Sequence, residues 1–109
     1  MNRYIGDGLR DSGEELPPSF DNFLAEALAC GSDETLVREW HPDSVTPTHS
    51  HPFDAEAVVV RGEMWLIEGT RTRHLKQGGT FRLSAGIPHS ERYGAEGVTL
   101  WVARRQVAE

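Results

Sequence analysis

Residues 49–62, HSHPFDAEAVVVRG, decide the predicted fold of this chain. His49 and His51 are two residues apart, a spacing that puts both imidazoles on the same face of a strand. Glu56 then leads the apolar run over residues 57–60, where a carboxylate without a partner would be costly to bury. A cation held together with the two imidazoles would supply that partner. The apolar run itself indicates a strand that is buried on both faces.

A further histidine, His89, follows the turn-forming residues Gly86, Ile87 and Pro88. Three imidazoles and one carboxylate make a mixed nitrogen and oxygen ligand set, which suits a divalent first-row transition metal. Such a set leaves one or two coordination positions open, as a catalytic or ligand-sensing metal requires. We therefore predict one metal site, with the ligands His49, His51, Glu56 and His89.

The two stretches that hold these residues resemble the two motifs of the cupin superfamily. The segment His49-x-His51-x4-Glu56-x5-Gly62 is similar to the first motif, G-x5-H-x-H-x(3,4)-E-x6-G. The segment Gly78-x5-Ser84-x-Gly86-x2-His89 is similar to the second, G-x5-P-x-G-x2-H-x3-N. The chain departs from the motifs in four places: Asp43 replaces a glycine, Glu56 to Gly62 is one residue short, Ser84 replaces proline, and Tyr93 replaces asparagine.

The resemblance implies an all-β, RmlC-like jelly roll, the double-stranded β-helix barrel of the cupins. It also implies one bound divalent metal (Fe, Mn, Ni, Co, Cu or Zn), a small-molecule ligand or substrate, and a homodimer. From the residues alone we expect seven or eight short strands at the spacing of a sandwich or barrel. They are predicted over residues 34–40, 55–61, 64–68, 70–76, 80–83, 90–93 and 98–103, with a tight turn at Gly62-Glu63.

Residues 1–33 form an acidic N-terminal arm in this interpretation, and residues 34–109 form the barrel. Within the arm, residues 1–16 lack any period and are expected to be poorly ordered. An amphipathic helix is predicted over about residues 19–30, because apolar residues recur on one stripe: Phe20, Phe23, Leu24, Ala27 and Leu28. The helix either covers an open end of the barrel or packs on a partner subunit.

The composition excludes several classes of protein. The net charge is −6, with eight acidic and two basic residues before position 37, which is the wrong sign for binding nucleic acid. No apolar run is long enough for a membrane span, and no signal peptide is evident, so we expect a cytoplasmic protein. Cys30 is the only cysteine, so neither an internal disulfide nor a thiolate-cluster metal site is expected.

Several further residues have both a functional and a structural interpretation. If His89 points inward, alternation sends Glu91 and Tyr93 inward as well, where they are candidate proton carriers; a twist or bulge would instead turn Glu91 to water. Arg61, Arg82 and Arg92 either bind an anionic substrate or lie exposed on strands. His41 and His74 are expected to face solvent. The aromatic residues that either line a pocket or fill the core are Phe53, Trp65, Tyr93 and Trp101.

The leading functional hypothesis is a small metal-dependent enzyme, dioxygenase-like or isomerase-like, that acts on a small organic molecule in the barrel pocket. One alternative is a non-catalytic module that binds a small ligand or effector in the same pocket. Another is a metal-free structural or interaction protein.

Overall fold

The computed structural model describes residues 20–106, so residues 1–16 of the predicted N-terminal arm lie outside the described residues. The described part contains one helix and six strands. They are α1 (Phe20–Ala29), β1 (Glu34–Trp40), β2 (Val45–His49), β3 (Phe53–Glu68), β4 (Arg71–Leu75), β5 (Thr80–Leu83) and β6 (His89–Gln106). All strand pairs are antiparallel. The predicted all-β class with one short N-terminal helix is confirmed.

The two long strands, β3 and β6, pair along most of their length and divide the sheet into two halves. Half-sheet I contains β1, residues 98–106 of β6, residues 53–59 of β3, and β5. Half-sheet II contains β2, residues 89–93 of β6, residues 64–68 of β3, and β4. Their inner faces meet in one apolar core, in which Ala57 and Leu100 of half-sheet I share a cluster with Met64 and Tyr93 of half-sheet II.

The predicted turn at Gly62-Glu63 is wrong, because β3 runs through these residues as one strand of 16 residues. The register with β6 shifts between Val59 and Arg61 and again between Gly62 and Met64. Gly62 has a φ of +85°, and a Cβ atom there would overlap the carbonyl oxygen of Gly97. A glycine inside a strand pattern marks a bulge or a close backbone approach as well as a turn. For the same reason, the two strands predicted over 90–93 and 98–103 are parts of β6.

Helix α1 packs on the outer face of half-sheet I, rather than over an end of the barrel. Phe23 and Ala27 are buried against Val58 and Ala103. This contact explains the apolar run of β3: Val59 faces the inner core, while Val58 faces the helix. Leu28, which the predicted stripe would bury, is 53% exposed.

The helix ends in a Schellman motif at Gly31. The Ser32 amide donates to the carbonyl of Ala27, and the Gly31 amide donates to the carbonyl of Leu28. Gly31 has a φ of +95°, a conformation that glycine adopts without steric cost. The stop predicted at this glycine is therefore confirmed. No helix among residues 20–106 is long and apolar enough to cross a bilayer.

Candidate metal centre

Three histidines from two parts of the chain meet at one end of the inner core. His49 is the last residue of β2, and the antiparallel register places it directly opposite His89, the first residue of β6. His51 lies in the short link between β2 and β3, where its carbonyl accepts a hydrogen bond from the Gly86 amide. One ring nitrogen from each histidine lies within 4.8 Å of the other two.

Two of the three imidazoles are held in a defined tautomer by the backbone. Nδ1 of His49 lies 2.7 Å from the carbonyl oxygen of Pro47, and Nδ1 of His89 lies 3.0 Å from that of Ile87. A carbonyl oxygen only accepts hydrogen bonds, so each Nδ1 carries the proton and donates it. In the neutral form of both rings, Nε2 is then left with a free lone pair, the form in which histidine binds a metal.

The third imidazole is kept neutral by its surroundings. Burial lowers the pKa of His51, and the neighbouring His89 and His49 and the guanidiniums of Arg104 and Arg38 lower it further. The ring of His51 is stacked on Phe53, with the ring centres 4.9 Å apart and the planes 4° from parallel. A neutral, oriented imidazole next to two others is suited to share a cation with them.

Nε2 of His89 also provides a test of whether a cation fits. The atom is buried and has no hydrogen-bond partner among the described residues. It lies 3.4 Å from Oε2 of Glu91, an acceptor like itself in this tautomer. Two acceptors buried side by side without a proton between them are destabilising. A divalent metal on the three histidines would take up the lone pair of Nε2 and place a positive charge beside the Glu91 carboxylate, so the histidines fit the metal that the sequence predicts.

Glu56 is not part of the cluster, and its prediction as a metal ligand is corrected. Its neighbours Ala55 and Ala57 line the cavity next to the histidines, whereas Glu56 faces the opposite side of β3, toward α1. There its Oε2 lies 3.3 Å from Nε of Arg82. In a strand, a shift of one residue moves a side chain to the other face, and Glu56 lies between Ala55 and Ala57, which face the cavity.

Glu91 is the carboxylate that the structure brings to the histidines. It is buried on the inner face of β6, and its Oε1 accepts a hydrogen bond of 2.6 Å from the hydroxyl of Tyr93. That hydroxyl accepts in turn from Thr46, at 2.9 Å. Burial and the negative charge of Glu91 raise the pKa of Tyr93 far above its usual value, so the phenol stays protonated. The inward alternation expected from His89 is thus observed for Glu91 and Tyr93.

The cavity beside this cluster has a volume of about 100 Å³ and is called the histidine cavity below. Its floor is apolar and includes Phe81, Leu83, Leu100 and Val102. Its polar lining is formed by residues of both half-sheets, namely Arg38, Thr46, His49, His51, Glu91 and Arg104. A wider groove of about 750 Å³, lined by Trp65, Lys76 and Arg92, contains none of the three histidines. We therefore place the candidate site at the smaller cavity.

The two arginines of the histidine cavity were missed by the sequence analysis. None of the three predicted anion binders lines it: Arg61 donates to the carbonyl of Glu96, Arg82 pairs with Glu56, and Arg92 lies over the ring of Trp65. The missing signal was the strand register, which places Arg104 opposite Ala55 on the inner face.

The remaining candidates lie away from the cluster or at its edge. His41 is exposed, as expected. His74 stacks on Trp65 and lies 3.0 Å from Glu63 outside the cavity. Among the four aromatic candidates, Phe53 lines the cavity, Tyr93 is in the core, Trp101 packs under α1, and Trp65 lines the wider groove.

Comparison with solved structures gives consistent neighbours at low sequence identity. The DMSP lyase DddQ from Ruegeria pomeroyi DSS-3 is 24% identical with a TM-score of 0.62, over 69% of this chain and 39% of that one. The Cnp3 cupin domain of Schizosaccharomyces pombe is 19% identical with a TM-score of 0.62, over 67% and 55%. An RmlC-like cupin from Desulfovibrio desulfuricans is 19% identical with a TM-score of 0.55, over 65% and 69%.

The match spans well under half of the DMSP lyase chains, 38% and 39% of their length. No family model and no curated protein matches the sequence. What these matches show is a common fold, named in the matched structures as a cupin domain and a double-stranded β-helix domain. The chain therefore has the cupin fold, a double-stranded β-helix with a three-histidine cluster at the end of its core.

Proposed function

We propose that this chain is a metal-dependent enzyme that acts on a small organic molecule in the histidine cavity. The observation that carries the proposal is the meeting of His49, His51 and His89 within 4.8 Å, with Nε2 of two rings left free by backbone hydrogen bonds. These three residues would hold one divalent first-row transition metal. When bound, such a metal supplies a Lewis acid or a redox centre.

Glu91 and Tyr93 would handle protons beside it. Glu91 is buried and adjacent to His89, so its carboxylate is placed to take a proton from a substrate in the cavity. Tyr93 donates to the other oxygen of that carboxylate, which orients it, and Thr46 orients Tyr93. Tyr93 is thus a positioning residue, and Glu91 is the candidate base. The apolar floor of the cavity limits the access of water to the Glu91 carboxylate, which is 7% exposed.

The fold neighbours support an enzyme without identifying its reaction. They include DMSP lyases, but these are below 25% identity and their matched part is a minority of each chain. We extend the proposal to a homodimer in the cytoplasm, in keeping with the family resemblance. Val37 of β1 and Leu28 of α1 are exposed apolar residues on the outer side of half-sheet I, where a second subunit could cover them.

Metal analysis of purified variants tests the metal site. The protein is prepared without a metal-affinity tag, and His49→Ala, His51→Ala and His89→Ala are compared with His41→Ala, which removes an exposed histidine outside the cluster. We expect about one metal per chain in the wild type and the control, and at least a tenfold loss of affinity in each cluster variant. Full metal content in His51→Ala would contradict the assignment, and circular dichroism checks that each variant is folded.

Turnover separates the enzyme from the binding module. The metal-loaded protein is incubated with β-diketones, flavonols, thiols and DMSP while oxygen uptake and product formation are followed. Turnover that disappears in Glu91→Gln supports the proposed base. Binding of one of these compounds with no conversion would favour the non-catalytic module.

A further inference from the structure

Two guanidinium groups face the histidine cavity, and neither is fully neutralised by the protein. Arg38 belongs to β1 and Arg104 to β6, and both line the cavity with His49 and His51. Among the described residues, no carboxylate lies within ion-pair distance of Arg38. Arg104 pairs at 3.2 Å with Glu34, whose side chain is 60% exposed, so this pair is weak. Nε of Arg104 is buried and has no hydrogen-bond partner among residues 20–106.

Aromatic rings hold both guanidiniums at the cavity. The central carbon of Arg104 lies 4.5 Å from the ring centre of Phe53, and that of Arg38 lies 5.5 Å from the ring centre of Trp40. Phe53 is itself stacked on His51, so Arg104, Phe53 and His51 form one continuous stack. A guanidinium that lies on an aromatic face keeps its N–H edge available for a planar carboxylate.

The charge of the cavity is opposite to that of the whole chain. The protein carries a net charge of −6, but the lining of the histidine cavity has two guanidiniums and a single carboxylate, that of Glu91. Glu91 already accepts a hydrogen bond from Tyr93 and lies next to His89. A divalent metal on the histidines would make the cavity still more positive. A neutral substrate would leave Arg38 without a counter-charge, and Arg104 with only the exposed carboxylate of Glu34.

We propose that the molecule bound in this cavity is a small organic anion whose carboxylate is held by Arg38 and Arg104. This inference rests on the proposed function, because the rest of the molecule is then directed toward the histidines and Glu91. The cavity volume is about 100 Å³, so the enclosed part of the ligand is short. Charge-assisted, planar hydrogen bonds give the arginines a preference for carboxylate over an amide of the same shape.

The test compares propionate with propionamide, which share a shape but differ in charge. Both are titrated by calorimetry into wild type, Arg38→Gln, Arg104→Gln and Arg105→Gln. Arg105 is the matched control, because it follows Arg104 directly but is exposed and close to Asp54 on the other side of β6. We expect a preference for propionate of about tenfold in wild type and Arg105→Gln, and its loss in the other two variants. An unchanged preference in Arg38→Gln and Arg104→Gln would overturn the inference.

Two further measurements separate this inference from the proposed function. All titrations are repeated on protein stripped of metal, where propionate cannot bind through a metal and a preference must come from the arginines. If the histidine variants leave the metal content unchanged, the proposed function fails, whereas the propionate result still decides the role of the arginines.

Amide shifts in nuclear magnetic resonance spectra locate the binding site of propionate in the wild type, without any variant. Shifts confined to the wider groove at Lys76 and Arg92 would overturn the inference, and shifts at β1 and the end of β6 would support it.

Discussion

Replacing Tyr93 by phenylalanine removes one hydroxyl from the core and tests how the buried carboxylate is held. The hydroxyl donates to Glu91 at 2.6 Å and accepts from Thr46 at 2.9 Å. Phenylalanine keeps the ring, so the stack on Trp40, with ring centres 5.1 Å apart, is retained. The substitution therefore isolates the hydrogen bonds from the packing of the ring.

The expected loss of stability follows from the charge and burial of the acceptor. A hydrogen bond to a charged group contributes about 1.5–3 kcal/mol, and a buried acceptor left without its donor costs a similar amount. Glu91 keeps some contact with water through the cavity, so we expect the free energy of unfolding to fall by about 2 kcal/mol. For a domain of this size, that loss corresponds to a melting temperature lower by roughly 10 °C.

Urea unfolding of the metal-free protein measures this loss, and a double-mutant cycle assigns it. The cycle combines Tyr93→Phe with Glu91→Leu, which removes the acceptor. We expect a coupling energy of about 1–2 kcal/mol between the two positions, as for residues in one buried hydrogen-bond network. A coupling energy below about 0.5 kcal/mol would refute the reasoning, because the two side chains would then contribute independently.

Two further predictions concern residues already described. Glu56→Gln is expected to leave the metal content unchanged. It should lower the free energy of unfolding by at most about 1 kcal/mol, since it removes only a partly exposed ion pair with Arg82. Loss of metal in this variant would restore Glu56 as a ligand. The raised pKa of Tyr93 predicts a loss of stability at alkaline pH, because above pH 10 the unfolded phenol releases its proton while the folded one keeps it. Between pH 9 and pH 11, wild type should lose about 1.4 kcal/mol more than Tyr93→Phe in urea unfolding, and equal losses would disprove the shift.

The grouping of the histidines could be predicted from the sequence, but the choice of carboxylate could not. The spacing of His49 and His51, the glycine turn before His89 and the resemblance to the cupin motifs led to this grouping, although His51 lies in the link after β2 and not on the strand itself. The position of Glu56 depends on which face of β3 it occupies, and that face is set by the link after β2. β2 itself was not predicted, because it carries Pro47 and several polar residues. The antiparallel register of β2 with β6 explains why His49 lies opposite His89.

The turn predicted at Gly62 was wrong for a related physical reason. Gly62 was interpreted as a turn, whereas it allows β3 to continue past the backbone of Gly97. A local pattern cannot separate a bulge from a turn, since both require glycine and the difference lies in a contact 35 positions away in the chain. The arginines of the cavity were missed because neither charge nor spacing distinguishes Arg104 from Arg105. Only the pairing with β3 does so.

The bulged region between the two halves of β6 determines which arginine faces the histidine cavity. Before it, odd-numbered residues face inward, as His89, Glu91 and Tyr93 do; after it, even-numbered residues do, as Val98 and Leu100 do. Counting in twos from His89 would point Arg105 at the histidines and turn Arg104 away. The change of phase around Gly97 reverses this assignment. The chemistry at one end of the barrel therefore depends on a backbone irregularity at the other, at a position that carries no functional group.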